Sequence, residues 1–551
     1  MEVLLVVLTS FSKVALSFFI VALGSPTLSP VLSAVAASLG YAIFWMAALE
    51  LPQKKRFWLS LAWFAGVQAI QLSWMTSMVY FGPAILIIYF LLLVGLGLQF
   101  AFMTGCLSLP LKWNNISALA GFWVLMEWVR LFLLTGFTWN PVGLTLAANS
   151  LSIQFAALFG VYGLCFWVMW VNLFALKALL ERGRKQWTVW LAFALLPYGY
   201  GAVQKAFLEP YLKEDRQIEV ALIQTGMRPE QRDRLKERND AHIHPLMQWR
   251  QVLSHLTRTN STRFDLIVFP EGALPGGARS AGYTLASMQE VWCEVFGSGA
   301  EVDFPPMRMP FAKEVGEGTW RVTNSFWAQS LANHYGAEVI IGLDDGENGK
   351  HFNAAFHFKP RINEISRYEK QILIPGGEYI PLEGWKWLDE LFAKEFGIES
   401  SFQAGQKAKV FSGAFPIGIF ICLEETYSKL VREVRQGGAQ IFVNIANDVW
   451  FPKTRLPWHH FDHGRIRAAE NGMPLLRACN TGVTAAVDCF GSAIEIFPVS
   501  EEAAGALVVK VPLSSYSTLY TFIGDLPVVL ASSIFFSFFA FGRWIKKKKL
   551  P

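Results

Sequence analysis

Residues 414–425, Ala-Phe-Pro-Ile-Gly-Ile-Phe-Ile-Cys-Leu-Glu-Glu, carry an apolar run that stops on a thiol. The run is continuous rather than alternating, which suits a strand covered on both faces. Charge begins directly after it, at Glu424 and Glu425. A cysteine at the end of a buried strand, on the turn into a polar segment, is where an α/β enzyme would place a nucleophile. The same residue also fits an ordinary core position, because free cysteine is among the most buried residue types. Two distant stretches bear on the choice. Asp265-Leu-Ile-Val-Phe-Pro-Glu271 is another apolar strand, and it ends in a carboxylate. Tyr368-Glu-Lys370 offers a cation, and Ile374-Pro-Gly-Gly-Glu378 follows it with a second carboxylate. A carboxylate can move a proton, a lysine can stand beside a developing negative charge, and a thiolate can attack a carbonyl.

These residues need strands to hold them, and the chain supplies the pattern from Ile218 onward. Ile218 to Gln224 reads as a strand, with further strands at 264–270, 338–343, 352–358, 415–421, 440–446 and 483–488. Helical segments fit between them at 230–257, 324–335, 424–436 and 461–472. Strands alternating with helices predict an α/β domain.

The rest of the chain is of another kind. Of the 551 residues, 53% are hydrophobic and only 17% charged, and the charges are sparse before residue 207. Mean hydropathy is +0.33, high for a soluble protein. Seven apolar runs, at 4–24, 27–49, 57–77, 83–105, 116–135, 154–176 and 187–204, are each near the ~20 residues that cross a bilayer, and an eighth lies at 525–542. The first does not read as a signal peptide, since Glu2 replaces a basic start and another apolar run follows at once. Lysine and arginine cluster at 53–56, 112, 181–185 and 546–549, after even-numbered runs only. The positive-inside rule then puts both termini in the cytoplasm and the segment between runs 7 and 8 on the opposite side. The expected organisation is a transmembrane domain at 1–206, an extracytoplasmic catalytic domain at 207–520, and an eighth helix with a basic tail at 521–551. A net charge of +5 is modest for this length and gives no reason to expect nucleic acid.

The order Glu271, Lys370, Cys422 resembles the nitrilase superfamily. Asn447-Asp-Val-Trp-Phe451, Trp458-His-His460, Arg465-Ile-Arg-Ala-Ala-Glu470 and Pro474 to Thr484 strengthen the likeness. With the apolar runs added, the chain resembles the membrane-embedded branch of that superfamily, the apolipoprotein N-acyltransferase family. The resemblance implies an α-β-β-α sandwich and a ping-pong transfer through a cysteine thioester. The acyl donor would be a membrane phospholipid. The acceptor would be the α-amino group of the N-terminal diacylglyceryl-cysteine of an apolipoprotein, in the bacterial inner membrane with the catalytic domain in the periplasm. It also implies Cys422 as nucleophile, Glu271 as general base, Lys370 and the Leu423 N–H as oxyanion donors, and Glu378 as a brace for the lysine. No metal or cofactor is implied. The chain departs from the family pattern at Leu423, at Gly376 and at Pro452, without losing a catalytic group. Two other functions remain open: a membrane-tethered amidase acting on a small molecule, and a transporter or scaffold with an inactive nitrilase-like domain.

Several residues keep two readings. Glu127 and Arg130 share a helix face, as a structural ion pair or as a polar floor for a substrate. Trp139 and Trp450 are interfacial or packing residues, or substrate and lid contacts, and Glu424 is a further contact candidate. His459 and His463 have a helix spacing that zinc could use, but no separated third ligand completes a site. There is no G-x-S-x-G motif of a serine hydrolase. The stretch 272–337 reads as an insertion, either a loop that dips into lipid or covers the site, or a solvated excursion.

Overall fold

The computed structural model describes residues 9–212, 216–233, 241–259, 261–396 and 401–548. The start of the first apolar run, the middle of the predicted helix 230–257 and Lys549 of the basic tail lie outside them. The chain divides into two compact units. One combines Met1–Tyr211 with Thr454–Gly472 and Ser517–Pro551, and the other combines Leu212–Lys453 with Met473–Tyr516.

The first unit is helical. Its principal helices are Ser10–Leu23, Gln53–Gln71, Ala84–Cys106, Trp113–Val129, Ala156–Glu181, Arg184–Leu212 and Leu526–Lys548, plus a composite helix over Pro30–Ala48. Each of the eight apolar runs therefore falls on a helix. Four stretches are long and apolar enough to cross a membrane: Pro30–Ala48, Ala84–Cys106, Ser152–Glu181 and Leu526–Ile545. The others fall short for visible reasons. Ser10–Leu23 has 14 residues and Trp113–Val129 has 17, Gln53–Gln71 opens on Lys54, Lys55 and Arg56, and Arg184–Leu212 dilutes its apolar residues with Gln186, Thr188, Tyr198, Tyr200 and Gln204. The composite helix widens to a π turn at Ala36–Gly40. Buried Asn172 repairs it: its Nδ2 donates to the Ala36 and Ala37 carbonyls at 3.1 and 2.9 Å, and its Oδ1 accepts from Tyr41 N at 3.0 Å. Without such a partner those backbone groups would be unsatisfied in an apolar surrounding.

The second unit is α/β. Its strands are β1 Gln217–Gln224, β2 Leu266–Val268, β3 Tyr283–Thr284, β4 Ala312–Gly316, β5 Thr319–Val322, β6 Glu338–Glu347, β7 Lys350–Lys359, β8 Ile362–Glu369, β9 Lys409–Phe411, β10 Ile417–Ile421, β11 Ile441–Ala446, β12 Leu475–Cys479, β13 Ala485–Val487, β14 Ala493–Ile496 and β15 Gly505–Pro512. One six-stranded sheet has the order β15-β1-β2-β6-β7-β8, and the other β14-β13-β12-β11-β10-β9. The strands at each centre run parallel. Leu266, Val268, Ile340 and Ala355 of the first sheet share one core with Ile417, Ile419, Val443 and Ile445 of the second. The opposite face of the first sheet, at Ile267, Val339, Ile341 and Leu343, packs on Trp249, Trp292 and Trp327 of helices Pro245–Thr257, Leu285–Phe296 and Asn324–Tyr335. Layered sheets with helices outside give the expected sandwich.

Three expectations change. The predicted helix 230–257 is a single turn at Pro229–Arg232 and a separate helix starting at Pro245, because proline favours the first helical turn and excludes a helical residue before it. The stretch 424–436 opens as a tight 3-10 turn, and its α-helix starts only at Ser428. The insertion is built rather than looped. Strands β3, β5 and β4 form a small antiparallel sheet, and Tyr283, Met288, Trp292, Phe311 and Val322 are buried in the domain core.

Candidate active site

Glu271, Lys370 and Cys422 all follow strands of the two facing sheets. Glu271 lies three residues past β2, Lys370 directly after β8, and Cys422 directly after β10. Side chains alternate along a strand, so Lys370 shares the inner face with Tyr368, which is part of the core between the sheets. The backbone brings Glu271 in closely. A Cβ added to Gly342 of β6 would lie 2.6 Å from Glu271 Cα, so only glycine permits that approach.

A lysine-centred node results. Lys370 Nζ donates to Glu271 Oε1 at 2.9 Å and to Glu378 Oε1 at 2.7 Å. Asn353 Nδ2 donates to the same two oxygens, at 2.7 and 2.9 Å. Ile374 N fixes the other oxygen of Glu378 at 2.9 Å. The turn that presents Glu378 needs a left-handed residue, and Gly376 takes it at φ +71°. Lys370 is 1% exposed and Glu271 8%. Burial works against the ammonium, yet Glu271 and Glu378 outweigh it and hold the lysine well above its ordinary pKa. The lysine is therefore a fixed cation with three donors, two of them used among the described residues.

Cys422 sits in the left-handed region at φ +54°, which strains a residue with a side chain. Asn444 of β11 clamps it there, accepting from Cys422 N at 3.1 Å and donating to Cys422 O at 3.0 Å. Burial raises the thiol pKa well above its ordinary value. Glu271 raises it further, Lys370 pulls it down, Asp448 raises it, and a hydrogen bond from the Asn447 backbone lowers it. Such a thiol stays protonated at rest, so the chemistry needs a base beside it.

The remaining candidates separate. Glu424 is fully buried and does not face a substrate. One oxygen accepts from Gln371 N and Ile372 N, the other from Tyr368 Oη and Ile421 N. It ties the segment after Lys370 to the end of β10, and burial pushes its pKa up to about 7. Leu423 follows Cys422 in the 3-10 turn Cys422–Thr426. Trp450 is 38% exposed. Glu127, Arg130 and Trp139 belong to the helical unit. There Glu127 Oε1 accepts from Trp123 Nε1 at 2.9 Å and Val142 N at 3.0 Å, with Arg130 Nη2 at 3.4 Å, which is a structural tie. Trp139 packs edge-on against His459, His460 and His463, so these histidines line an aromatic contact.

Asn353 and Asn444 were missed at the level of sequence. Asn444 is a lone amide in the apolar strand β11, and Asn353 sits between Phe352 and Ala354 where β7 turns buried, a signal that marks a polar need on a buried face.

Known proteins match both parts of the chain. The carbon–nitrogen hydrolase family matches residues 220–519, and the apolipoprotein N-acyltransferase N-terminal domain matches residues 11–174. The apolipoprotein N-acyltransferase of Chlamydia trachomatis is 32% identical, over 98% of each chain. That of Geobacter metallireducens is 29% identical over 75% of this chain and 72% of its own. A solved nitrilase-superfamily amidase of Nesterenkonia covers 54% of this chain and 90% of its own, at 16% identity and a TM-score of 0.33. A carbon–nitrogen hydrolase domain following an apolipoprotein N-acyltransferase N-terminal domain, in a chain 32% identical to such an enzyme over 98% of its length, makes this chain a member of the apolipoprotein N-acyltransferase family.

Proposed function

We propose that the enzyme moves an acyl chain from a membrane phospholipid to Cys422, and from there to the α-amino group of a diacylglyceryl-cysteine at the N-terminus of an apolipoprotein. The observation that carries this reading is the node of Glu271, Lys370 and Glu378 beside a buried, strained Cys422. Glu271 takes the Cys422 proton as the thiolate attacks the phospholipid ester carbonyl. The oxyanion forms against the unused Lys370 donor and the Leu423 N–H, in a site dry enough for both to count. Glu271 returns the proton to the leaving alcohol, and a thioester remains. In the second half, the amine attacks the thioester, and Glu271 relays a proton to the departing thiolate. Glu378 and Asn353 keep the lysine aimed while this happens.

We further infer that all eight helices cross the membrane. The basic clusters lie on the cytoplasmic side with both termini, and the α/β unit lies outside the cytoplasm, periplasmic in a diderm cell. Membrane helices bound the catalytic stretch in the chain on both sides, which suits two lipid substrates. Trp450, partly exposed two residues after Asp448, is the acyl-chain or lid contact in this reading.

The test uses full-length protein in vesicles holding a phospholipid labelled in one acyl chain, with a synthetic diacylated lipopeptide. The reading expects label on the lipopeptide amine and a stoichiometric lysophospholipid. Hydrolysis of small amides without acyl transfer would favour the tethered amidase instead.

A further inference from the structure

We propose that Asp344 is an acceptor-binding residue, whose carboxylate receives the α-ammonium group of the incoming lipopeptide beside the node of Glu271, Lys370 and Glu378. The inference rests on the acyl-transfer reading above, and adds the group that holds the second substrate.

Two independent register relations place Asp344. Along β6, Ile340 lies in the core between the sheets, Gly342 has its Cβ direction aimed at Glu271, and Asp344 is next in that alternation. Across the sheet, Asp344 pairs with Asn353 of β7, and directly opposed residues share a face. Asn353 is the amide that bridges Glu271 and Glu378. Asp344 therefore lies on the catalytic face, one pairing position from the node. Its backbone is fixed, since Ala278 N donates to Asp344 O at 2.8 Å. Yet Asp344 is exposed where Leu343 and Asp345 beside it are buried.

Its side chain makes no hydrogen bond or ion pair among the described residues. Arg232, the nearest cation in effect, spends Nε on Asp233 at 2.7 Å and Nη1 on Gly272 O at 2.8 Å. Although the residue keeps an open surface, the dense protein on its inner side partly desolvates the Asp344 carboxyl and raises its pKa. Arg232 opposes that push, while Asp233, Glu271 and Glu378 add to it. Lys370 is one cation between two carboxylates, and Arg232 is offset by Asp233. The charges around the node are thus net negative even before Asp344 is counted, and an exposed carboxylate there favours a cation. The acceptor arrives as one, because an α-amino group with a pKa of roughly 8 is mostly protonated at neutral pH.

Held by Asp344, the ammonium gives one proton to Glu271 and becomes nucleophilic. The C–N bond forms at the thioester carbonyl, the C–S bond breaks, and Glu271 passes its proton to Cys422 Sγ. The second proton leaves the new amide nitrogen for solvent. Asp344 makes and breaks no covalent bond.

The half-reactions separate the possibilities. Full-length enzyme and its Asp344→Asn and Asp344→Glu variants are loaded with acyl chain from phospholipid vesicles. Each is then discharged either by diacylated lipopeptide or by hydroxylamine, which is uncharged at neutral pH. The expected result is a KM for lipopeptide roughly tenfold higher in Asp344→Asn, with kcat nearly kept and largely restored binding in Asp344→Glu. Loading and hydroxylamine discharge should match the unaltered enzyme. An unchanged KM in Asp344→Asn overturns the inference, as does a parallel fall in loading and in both discharges. Failure of the unaltered enzyme to load removes the acyl-transfer reading itself, and the role of Asp344 with it.

Discussion

Cys422 and Cys479 stand at the ends of β10 and β12, parallel strands of one sheet with β11 between them. Both are buried, and burial raises the pKa of both thiols. Each also has a carboxylate and a cation close by. The resemblance ends in how those charges are committed. Cys479 stays in the strand ladder, paired with Ala446, and its Sγ lies 3.6 Å from Asp448 Oδ2. All three nitrogens of its cation, Arg477, are engaged: Nε on Glu425 at 3.0 Å, Nη2 on Asp448 at 3.1 Å and Nη1 on Val483 O at 2.8 Å. Cys422 has left the ladder for a strained backbone, is 7% exposed where Cys479 is 0%, and faces a lysine with a donor to spare. In the proposed reaction, a buried thiol between charges is thus insufficient for a nucleophile. It also needs an approach route and a donor not already consumed.

Exchanging what the two thiols have should break that contrast. Cys422→Ala is expected to abolish acyl transfer, by at least about a thousandfold, as loss of a covalent nucleophile does. Labelled-phospholipid turnover checks it. Lys370→Met, which removes the spare donor while keeping the stem, should cost on the order of a hundredfold or more in kcat. The thiol should also become harder to alkylate, because the cation that pulls its pKa down is gone. Asn353→Ala leaves Lys370 in place but loosens its two carboxylates, so about a tenfold loss of kcat is expected with little change in KM. Cys479→Ala should leave turnover within about twofold and show up only as a stability loss of about 1 kcal/mol in thermal or denaturant unfolding.

Glu424 sharpens the picture through pH. Its folded pKa of about 7 lies above the ordinary 4.5. The native state therefore holds the proton more tightly than the unfolded chain. That contribution is whole below about pH 4.5 and is lost as pH rises to about 7, by roughly 3 kcal/mol at most. Unfolding midpoints of the enzyme and Glu424→Gln across this window should diverge with the unaltered protein falling more steeply. Parallel curves would mean that Glu424 titrates as an exposed group.

The chemistry was more legible than the scaffold around it. Glu271 and Cys422 follow the short apolar strands β2 and β10, where a sudden change of character is visible in a linear sequence, whereas Lys370 follows the polar β8 and stood out only through the order Glu, Lys, Cys. The lysine clamp was visible only in part, because Asn353 differs from its neighbours by one amide. Strand β8 was missed, since Ile362 to Ser366 is partly or fully exposed and alternates weakly. Strand β15 was missed for another reason: its partner β1 lies nearly the whole domain away in the chain, and no local pattern announces such a pairing. Glu424 read as a possible contact because a charge after a nucleophile looks available. Four donors, three from the stretch 368–372 and one from the end of β10, show it to be a brace. The insertion read as loop because its strands are two to five residues long, below the length at which periodicity speaks.

The central claim is that Cys422, alone among the six cysteines, carries the acyl chain. Intact mass of the purified protein after incubation with phospholipid tests it most directly, with Cys422→Ala and Cys479→Ala alongside. The account predicts one added acyl mass, removed by hydroxylamine, present in Cys479→Ala and absent in Cys422→Ala. An acyl adduct that survives in Cys422→Ala, or folded enzyme that transfers acyl chains without ever gaining one, would contradict it.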